Sequence, residues 1–301
     1  MHLGNARTFL INWAMARQGN WRIVLRIEDL DGPRIKPGVT ELTIDLLKWL
    51  GIDWDDGPMV QSTNLEPYTL AMNHLAARGC VYPCDLSRGQ IEAASSAPQE
   101  GSGESFFPPA LRPLEMPRQF DRPEMSWRFA TPPGPVTFAD GLAGFKMQEP
   151  AATIGDFVVW TKRLAPSYQL AVVVDDDRQG VTQVVRGDDL LDSAGRQLLL
   201  YRALGLEPEP MYTHLPLVVG SDGRRLAKRH GDTRLDTFRA GGVSRERVIG
   251  LVAQWSGLIE KARPMDPAEF CAGFRLSTIP KNAVVFTAED ERWLLQGSGR
   301  G

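Results

Sequence analysis

The sequence predicts an α/β fold: a nucleotide-binding layer, interrupted by an inserted subdomain and followed by a small, mainly helical C-terminal region. Three observations carry this reading. A helix pattern opening at His2-Leu3-Gly4-Asn5 runs into a strand that closes on the carboxylates of Glu28, Asp29 and Asp31. A second apolar run, Tyr168 to Val174, closes on Asp175, Asp176 and Asp177, as strands buried in parallel sheets do. Between them, residues 93–105 are small and polar, and read as a flexible surface loop within an insertion.

Phe9, Leu10, Trp13 and Ala16 recur at the three- and four-residue spacing of an amphipathic helix that runs to Arg17. Gly4 lets the backbone approach a ligand, and Asn5 is a competent cap. A helix start presents unpaired N–H groups and the positive dipole end, so it stabilises a phosphate, and His2 can add a hydrogen bond there. A histidine before a helix is equally an ordinary surface residue. After a turn at Gly19-Asn20, the strand ends through Leu25 to Asp31. Gly38 to Leu50 reads as a second helix with Leu42, Leu46, Leu47 and Leu50 inward, stopped by Gly51. Trp54 to Pro58 reads as a turn, Gln61-Ser62 as loop, and Pro67 to Arg78 as a third helix ended by Gly79.

Phe107 to Pro135 is proline-rich and irregular, with short strands at Ser126–Ala130 and Val136–Phe138, and a strand returns between Thr153 and Trp160. Tyr168 to Val174 is expected as a buried strand, and the acidic run after it reads equally as a solvated turn. Val181 to Val185 is the next strand. Asp192 or Ser193 is expected to cap a helix that Gly205 ends, and His214 to Val219 is another strand. A helix over Val243 to Gln254 and a compact tail at Phe286 to Leu295 complete the chain.

The net charge is -3, which excludes a globally basic nucleic-acid binder. Between Asp222 and Arg247, however, eight Lys/Arg stand against four Asp/Glu. That local patch reads either as a solvated surface or as phosphate contact with a nucleotide or RNA backbone. Three cysteines, Cys80, Cys84 and Cys271, are too few for a disulfide framework and fit a reducing compartment. No apolar stretch approaches about 18 residues and no leader pattern opens the chain, so a cytoplasmic protein without membrane contact is expected.

The spaced motifs resemble one family. His2-Leu3-Gly4-Asn5 resembles the HIGH signature of class I aminoacyl-tRNA synthetases, and Arg225 to Arg229 resembles their KMSKS loop. Arg26 to Asp31, Tyr168 to Asp176 and Val185 to Leu190 look like the glutamyl subgroup. The resemblance implies a Rossmann-like catalytic domain over 1–80 and 154–225. It also implies an inserted acceptor-binding-like subdomain at 81–153, and a KMSKS loop with a stem-contact-like region at 226–301. With about seventy residues after that loop, the chain looks like a short paralogue of the subgroup, which attaches glutamate to the queuosine base of tRNA(Asp). The stretches Gln169-Leu170 and Ile279 to Phe286 also resemble that paralogue.

The resemblance implies ATP with Mg2+, L-glutamate and queuosine-bearing tRNA(Asp) as substrates, and a monomer. His2, Gly4, Asn5 and Lys228 would meet ATP, with His2 and Lys228 catalytic, while Glu28, Tyr168 and Arg186 would hold glutamate. Two other readings stay open: a truncated glutamyl-tRNA synthetase charging tRNA(Glu), and an inactive paralogue that only binds nucleotide or RNA. The family's zinc ligands are represented securely only by Cys84, with Leu86 and Leu111 where others would stand, so no zinc is expected. Ala227 replaces the loop's serine, a lost hydrogen bond of roughly 0.5–1.5 kcal/mol that slows rather than silences an enzyme. Family members also carry a strand and loop ahead of the HIGH signature, with an arginine and a serine that contact glutamate; either the start is assigned too late at Met1, or the protein lacks that strand and part of its amino-acid site.

Overall fold

Helix α1, Leu3–Gln18, is closed at its first turn by its own sequence. His2 is the N-cap: its Nδ1 accepts from the Asn5 N–H at 3.4 Å, and Asn5 Oδ1 accepts from the His2 N–H at 3.1 Å. This is a reciprocal capping box, so the cap is His2 rather than Asn5, which sits three residues in and returns the bond. Leu3, Ala6, Leu10, Ile11 and Ala14 are fully buried. Phe9, expected among them, is 38% exposed and lines a cavity, because it stands off the buried stripe.

The structure is a computed structural model that describes residues 1–30, 37–87, 89–91, 106–224, 226 and 233–296. The loop expected at 93–105, and Arg225 with 227–229 of the KMSKS-like segment, lie outside those residues. Strand β1, Val24–Ile27, pairs in parallel with β2, Asp56–Val60, and helix α2, Val39–Trp49, lies between them in sequence. Residues 56–58, expected as turn, thus belong to a strand. Gly57 and Pro58 obscure it, and the proline is tolerated because, among the described residues, β2 has only β1 as a partner. Leu46, Leu47 and Leu50 are buried as expected, whereas Leu42 stands with Val39 in an exposed first turn.

Helix α3, Glu66–Ala77, leads into β3, Val81–Cys84, which with β4, Ser126–Phe129, β7, Phe157–Thr161, and β8, Ala165–Pro166, forms an antiparallel sheet ordered β3-β4-β7-β8. The hairpin of β5, Val136–Asp140, and β6, Gly144–Gln148, lies elsewhere. It joins β9, Gln183–Gly187, and β10, Met211–Leu215, in a sheet ordered β6-β5-β10-β9. Strands from 81–153 are therefore divided between two sheets. Short helix α4, Pro150–Thr153, links them.

Tyr168 to Val174 is not a strand. It is the first part of helix α5, Tyr168–Arg178, in which residues 169–176 are all buried. A helix enclosed on every side is apolar on every side, so its sequence loses the 3.6-residue rhythm and imitates a buried strand. Asp175 and Asp176 are accordingly buried in a helix, and only Asp177 is exposed. Helix α6, Leu191–Leu204, ends at Gly205 with φ 70°, as expected. Its N-cap is Leu190 with no side-chain bond, because the turn at 188–190 already winds into the helix and carries Asp192 and Ser193 past the capping position. The stretch 214–219 is split at Pro216 between β10 and β11, Val218–Val219. Strand β11 pairs in parallel with β12, Val284–Val285.

Helices α7, Leu235–Ala240, α8, Arg245–Trp255, α9, Pro267–Gly273, and α10, Ala288–Leu295, pack into one apolar core with α1 and α2. A second core joins α3, α5 and α6 to both larger sheets. Among the described residues, no helix is long and apolar enough to cross a membrane. Gly250 lies inside α8, where an alanine Cβ would stand 1.8 Å from the Arg263 carbonyl oxygen. Gly250→Ala is therefore expected to lower the denaturation midpoint, since overpacking of about 1–3 kcal/mol outweighs a helix-propensity gain of about 1 kcal/mol. A raised midpoint in urea would refute that close approach.

Candidate active site

The start of α1 faces a cavity of about 620 Å³ that lies between the edges of β1 and β9. Among the described residues no strand joins those two edges, so side chains and backbone of both line the space. Ligand sites of open α/β sheets lie at the carboxyl ends of parallel strands, and here β1 and β9 deliver Glu28 and Arg186 to the cavity. His2, Gly4 and Asn5 line it from α1, and Tyr168 and Asp176 from α5. Six of the seven residues singled out in the sequence thus converge on one space. The seventh, Lys228, lies outside the described residues.

Gly4 has a local reason. A Cβ there would come within 3.0 Å of the His2 ring, so the glycine lets His2 fold back onto the helix end. Because His2 Nδ1 accepts from Asn5, the neutral ring carries its proton on Nε2. The end of β1 is steadied by Asp29, which accepts from the Ser62 N–H at 2.8 Å and from the Ser62 hydroxyl.

One cation serves two carboxylates beside Tyr168. Arg26 reaches Asp176 at 2.8 Å and Glu28 at 3.2 Å. Burial opposes the charge on Arg26, but Asp176 and Glu28 outweigh it and hold its pKa above the ordinary range. The Asp176 carboxyl is pushed up to about 6 by burial, with Arg26 opposing and the Glu28 charge adding to the rise. Sharing Arg26 leaves neither carboxylate fully compensated.

Arg186 is held on all sides. Its Nε donates to His214 Nε2 at 2.9 Å, Nη1 to Gln197 Oε1 at 2.8 Å and Nη2 to the Leu190 carbonyl at 3.2 Å. The guanidinium lies 4.9 Å from the Tyr212 ring centroid. Behind it, His214 Nδ1 meets Asp140 Oδ2 at 2.6 Å, both side chains fully buried. Burial opposes the Asp140 charge, but hydrogen bonds from the His214 ring and from the Ala143, Leu142 and His214 N–H groups hold its carboxyl below the usual range. Sequence reasoning missed Arg26, Asp140, Gln197 and His214. The available signals were Arg26 at the head of the Arg26–Asp31 motif and a histidine opening the apolar run 214–219.

A second cavity, of about 1070 Å³, shares Glu28 and Tyr168 with the first. Its wall includes Gln169, Ser193 and Arg196 beside Asp189 and Asp192. Gln197 donates to Gln169, and Gln169 to Ser193, at 2.9 and 3.0 Å, so a buried polar chain runs from Arg186 to this wall.

The residues that stand for the family's zinc ligands do not fit a metal. Cys84 packs with Tyr82, Ile91 and Phe107, joined by Leu86 and Leu111, while Cys80 packs against a different core. Buried Asp156 crosslinks this region instead, accepting from Tyr82 Oη at 2.6 Å and from two Arg112 nitrogens at 2.7 and 2.6 Å. Among the described residues, no group of three His, Cys, Asp or Glu is placed to hold a metal ion.

The fold and site define an α/β protein whose ligand cavity opens at a helix N-terminus beside the ends of parallel strands. Residues 1–285 match the family described as tRNA synthetases class I (E and Q), catalytic domain, and the chain belongs to that family. It is 46% identical to a glutamyl-Q tRNA(Asp) synthetase of Symbiobacterium thermophilum, over 96% of this chain and 93% of that protein. It is 48% identical to the protein of the same name from Rhodopirellula baltica, over 85% and 82% respectively. A glutamate–tRNA ligase 2 of Syntrophus aciditrophicus is 34% identical, and 98% of this chain spans 63% of it. Among solved structures, a glutamate tRNA ligase from Elizabethkingia meningosepticum in complex with its amino acid superposes with a TM-score of 0.79 at 26% identity, covering 98% of this chain and 66% of that one.

Two outcomes follow from the site. Purified protein should hold no stoichiometric zinc, and chelator should leave its melting temperature unchanged; one zinc per chain by elemental analysis would refute the apolar cluster's role. The Asp176 carboxyl binds its proton more tightly folded than unfolded, so its contribution to stability is present below about pH 4 and lost as pH rises through about 6. The difference in stability between the parent and Asp176→Asn should therefore change across that window and level off above it. A constant difference would exclude a raised Asp176.

Proposed function

We propose that the chain activates L-glutamate with ATP and transfers it to the queuosine base of tRNA(Asp). The observation that carries this is the convergence of Glu28, Tyr168 and Arg186 opposite the His2-capped helix start. Relatives named glutamyl-Q tRNA(Asp) synthetase, matched over nearly their whole length, support the acceptor. The glutamate–tRNA ligase 2 matches at a lower identity, 34%, which makes charging of tRNA(Glu) the less favoured reading.

In the first step a glutamate carboxylate oxygen attacks the α-phosphorus of ATP, the bond to pyrophosphate breaks, and glutamyl-adenylate forms. Mg2+ accompanies ATP and offsets phosphate charge. The protein's part is positioning and electrostatics. The α1 N–H groups and the His2 Nε2–H face charge on the α-phosphate, with Gly4 and Asn5 shaping the approach, and Lys228 meets the departing phosphates. Glu28 takes the amino group of glutamate, while Tyr168 and Arg186 take its other polar groups. Arg186 spends three of its five N–H groups on the protein and keeps two for a carboxylate, the bidentate fit a guanidinium favours.

In the second step a queuosine hydroxyl attacks the activated carbonyl, its proton is lost, and AMP leaves. The second cavity, sharing Glu28 and Tyr168 with the first, is the acceptor's way in. A catalytic unit drawn from 1–80 and 154–225, with an acceptor-side insert at 81–153 that lends its β5–β6 hairpin to the β9–β10 sheet, a monomeric state and a cytoplasmic setting belong to the same reading.

The test is glutamate-dependent exchange of pyrophosphate into ATP, followed by transfer of labelled glutamate to tRNA(Asp) with and without queuosine and to tRNA(Glu). Exchange together with labelling of queuosine-bearing tRNA(Asp) alone is expected. Labelling of tRNA(Glu) would move the assignment to a glutamate–tRNA ligase, and absence of exchange would leave a binding protein. Glu28→Gln should raise KM for glutamate about ten- to a hundredfold, the effect of one lost charge-assisted bond.

A further inference from the structure

Arg186 is the end of a buried proton-ordered relay. Asp140 lies on the β5–β6 hairpin and is aimed before it meets anything else: its Oδ1 accepts from the Leu142 and Ala143 N–H groups at 3.0 and 2.8 Å. Its other oxygen meets His214 Nδ1 at 2.6 Å. A carboxylate ringed by donors can only accept, so Nδ1 carries the proton. Arg186 can only donate, so His214 Nε2, 2.9 Å from Arg186 Nε, must present a lone pair. One tautomer of the neutral imidazole satisfies both neighbours, and a doubly protonated ring satisfies only Asp140.

We propose that Asp140 and His214 are positioning residues for glutamate binding: the carboxylate selects the Nδ1–H tautomer, and the lone pair so created fixes the rotation of the Arg186 guanidinium. The proposal rests on Arg186 being a glutamate ligand. Neither residue touches the substrate. Their effect reaches glutamate through one hydrogen bond, and the β5–β6 hairpin, which sits on the far side of β10 from β9, thereby helps to shape the amino-acid site.

Asp140→Asn is nearly isosteric and separates order from packing. The amide oxygen keeps the Leu142 and Ala143 bonds, while its N–H group faces Nδ1. His214 then moves its proton to Nε2, where it opposes the Arg186 Nε–H donor, and the guanidinium turns away. Read by pyrophosphate exchange, KM for glutamate should rise about ten- to a hundredfold, with KM for ATP unchanged. The double variant Asp140→Asn with His214→Gln should recover much of that loss, because the glutamine carbonyl supplies Arg186 with an acceptor. Contacting residues are non-additive in any case, so the discriminating result is recovery of KM for glutamate while the melting temperature stays no higher than in Asp140→Asn.

Arg186→Lys separates the two levels of the argument. A raised glutamate KM in Arg186→Lys beside an unchanged one in Asp140→Asn would overturn the relay and leave the site reading standing. An unchanged glutamate KM in Arg186→Lys would overturn both. If thermal melts show that Asp140→Asn does not fold, the single variants His214→Asn and His214→Gln decide. Asparagine keeps the donor to Asp140 and loses the acceptor for Arg186, and glutamine keeps the acceptor, so KM for glutamate should be higher in His214→Asn. Equal values would overturn the relay.

Discussion

The structure depends on a buried arginine in the first helix. Arg7 is 1% exposed and donates to the Pro216 carbonyl at 2.5 Å and the Trp255 carbonyl at 3.5 Å. It ties α1 to the link between β10 and β11 and to the end of α8. Burial pushes its pKa down to about 10, with Asp188 opposing the fall. It remains charged near neutrality, and a buried charge with fixed carbonyl partners is a stiff joint, because every displacement leaves it less compensated. The joint sits one turn below the His2 cap. The helix start that faces the cavity is thus aimed by contacts with segments more than two hundred residues away.

The site itself is a set of polar groups each held by protein before a ligand arrives. Arg26 stands between Asp176 and Glu28, Arg186 between His214, Gln197 and the Leu190 carbonyl, and Asp29 holds Ser62. Such preorganisation suits displacement at phosphorus and acyl transfer, where position and field rather than covalent assistance lower the barrier. The polar chain through Gln197, Gln169 and Ser193 joins the two cavities in one connected network. The apolar cluster around Cys84, Leu86 and Leu111, with Asp156 and Arg112 beside it, shows the opposite device: a region steadied by packing and by the ion pair of half-buried Arg112 with buried Asp156.

Local chemistry made much of this legible in the chain. The periodic helices α1, α2, α3 and α8, the Gly205 stop and the strands β1, β4, β5, β7 and β9 follow from spacing, capping and turn residues that act within a few positions. The residues His2, Gly4, Asn5, Glu28, Tyr168 and Arg186 were marked as a set by their motifs' resemblance to one family, and the fold gathers them around one cavity. Two failures have separate physical causes. The run Tyr168–Val174 imitates a strand because its helix is buried from Gln169 to Asp176, and β2 hides behind Gly57 and Pro58 because, among the described residues, β1 is its one neighbour and the proline's missing donor is harmless.

By itself, then, the sequence determined most of the segments that wind or extend, since these depend on neighbours along the chain, and its motifs marked six residues that line one cavity. Tertiary structure alone decided who holds those residues: Asp140 from a hairpin, His214 from the neighbouring strand, Arg26 from beside Asp176, and the Pro216 and Trp255 carbonyls that fix Arg7 within the first helix. A buried charge is compensated by whatever the fold brings within about 3 Å, and no spacing in the sequence encodes that distance.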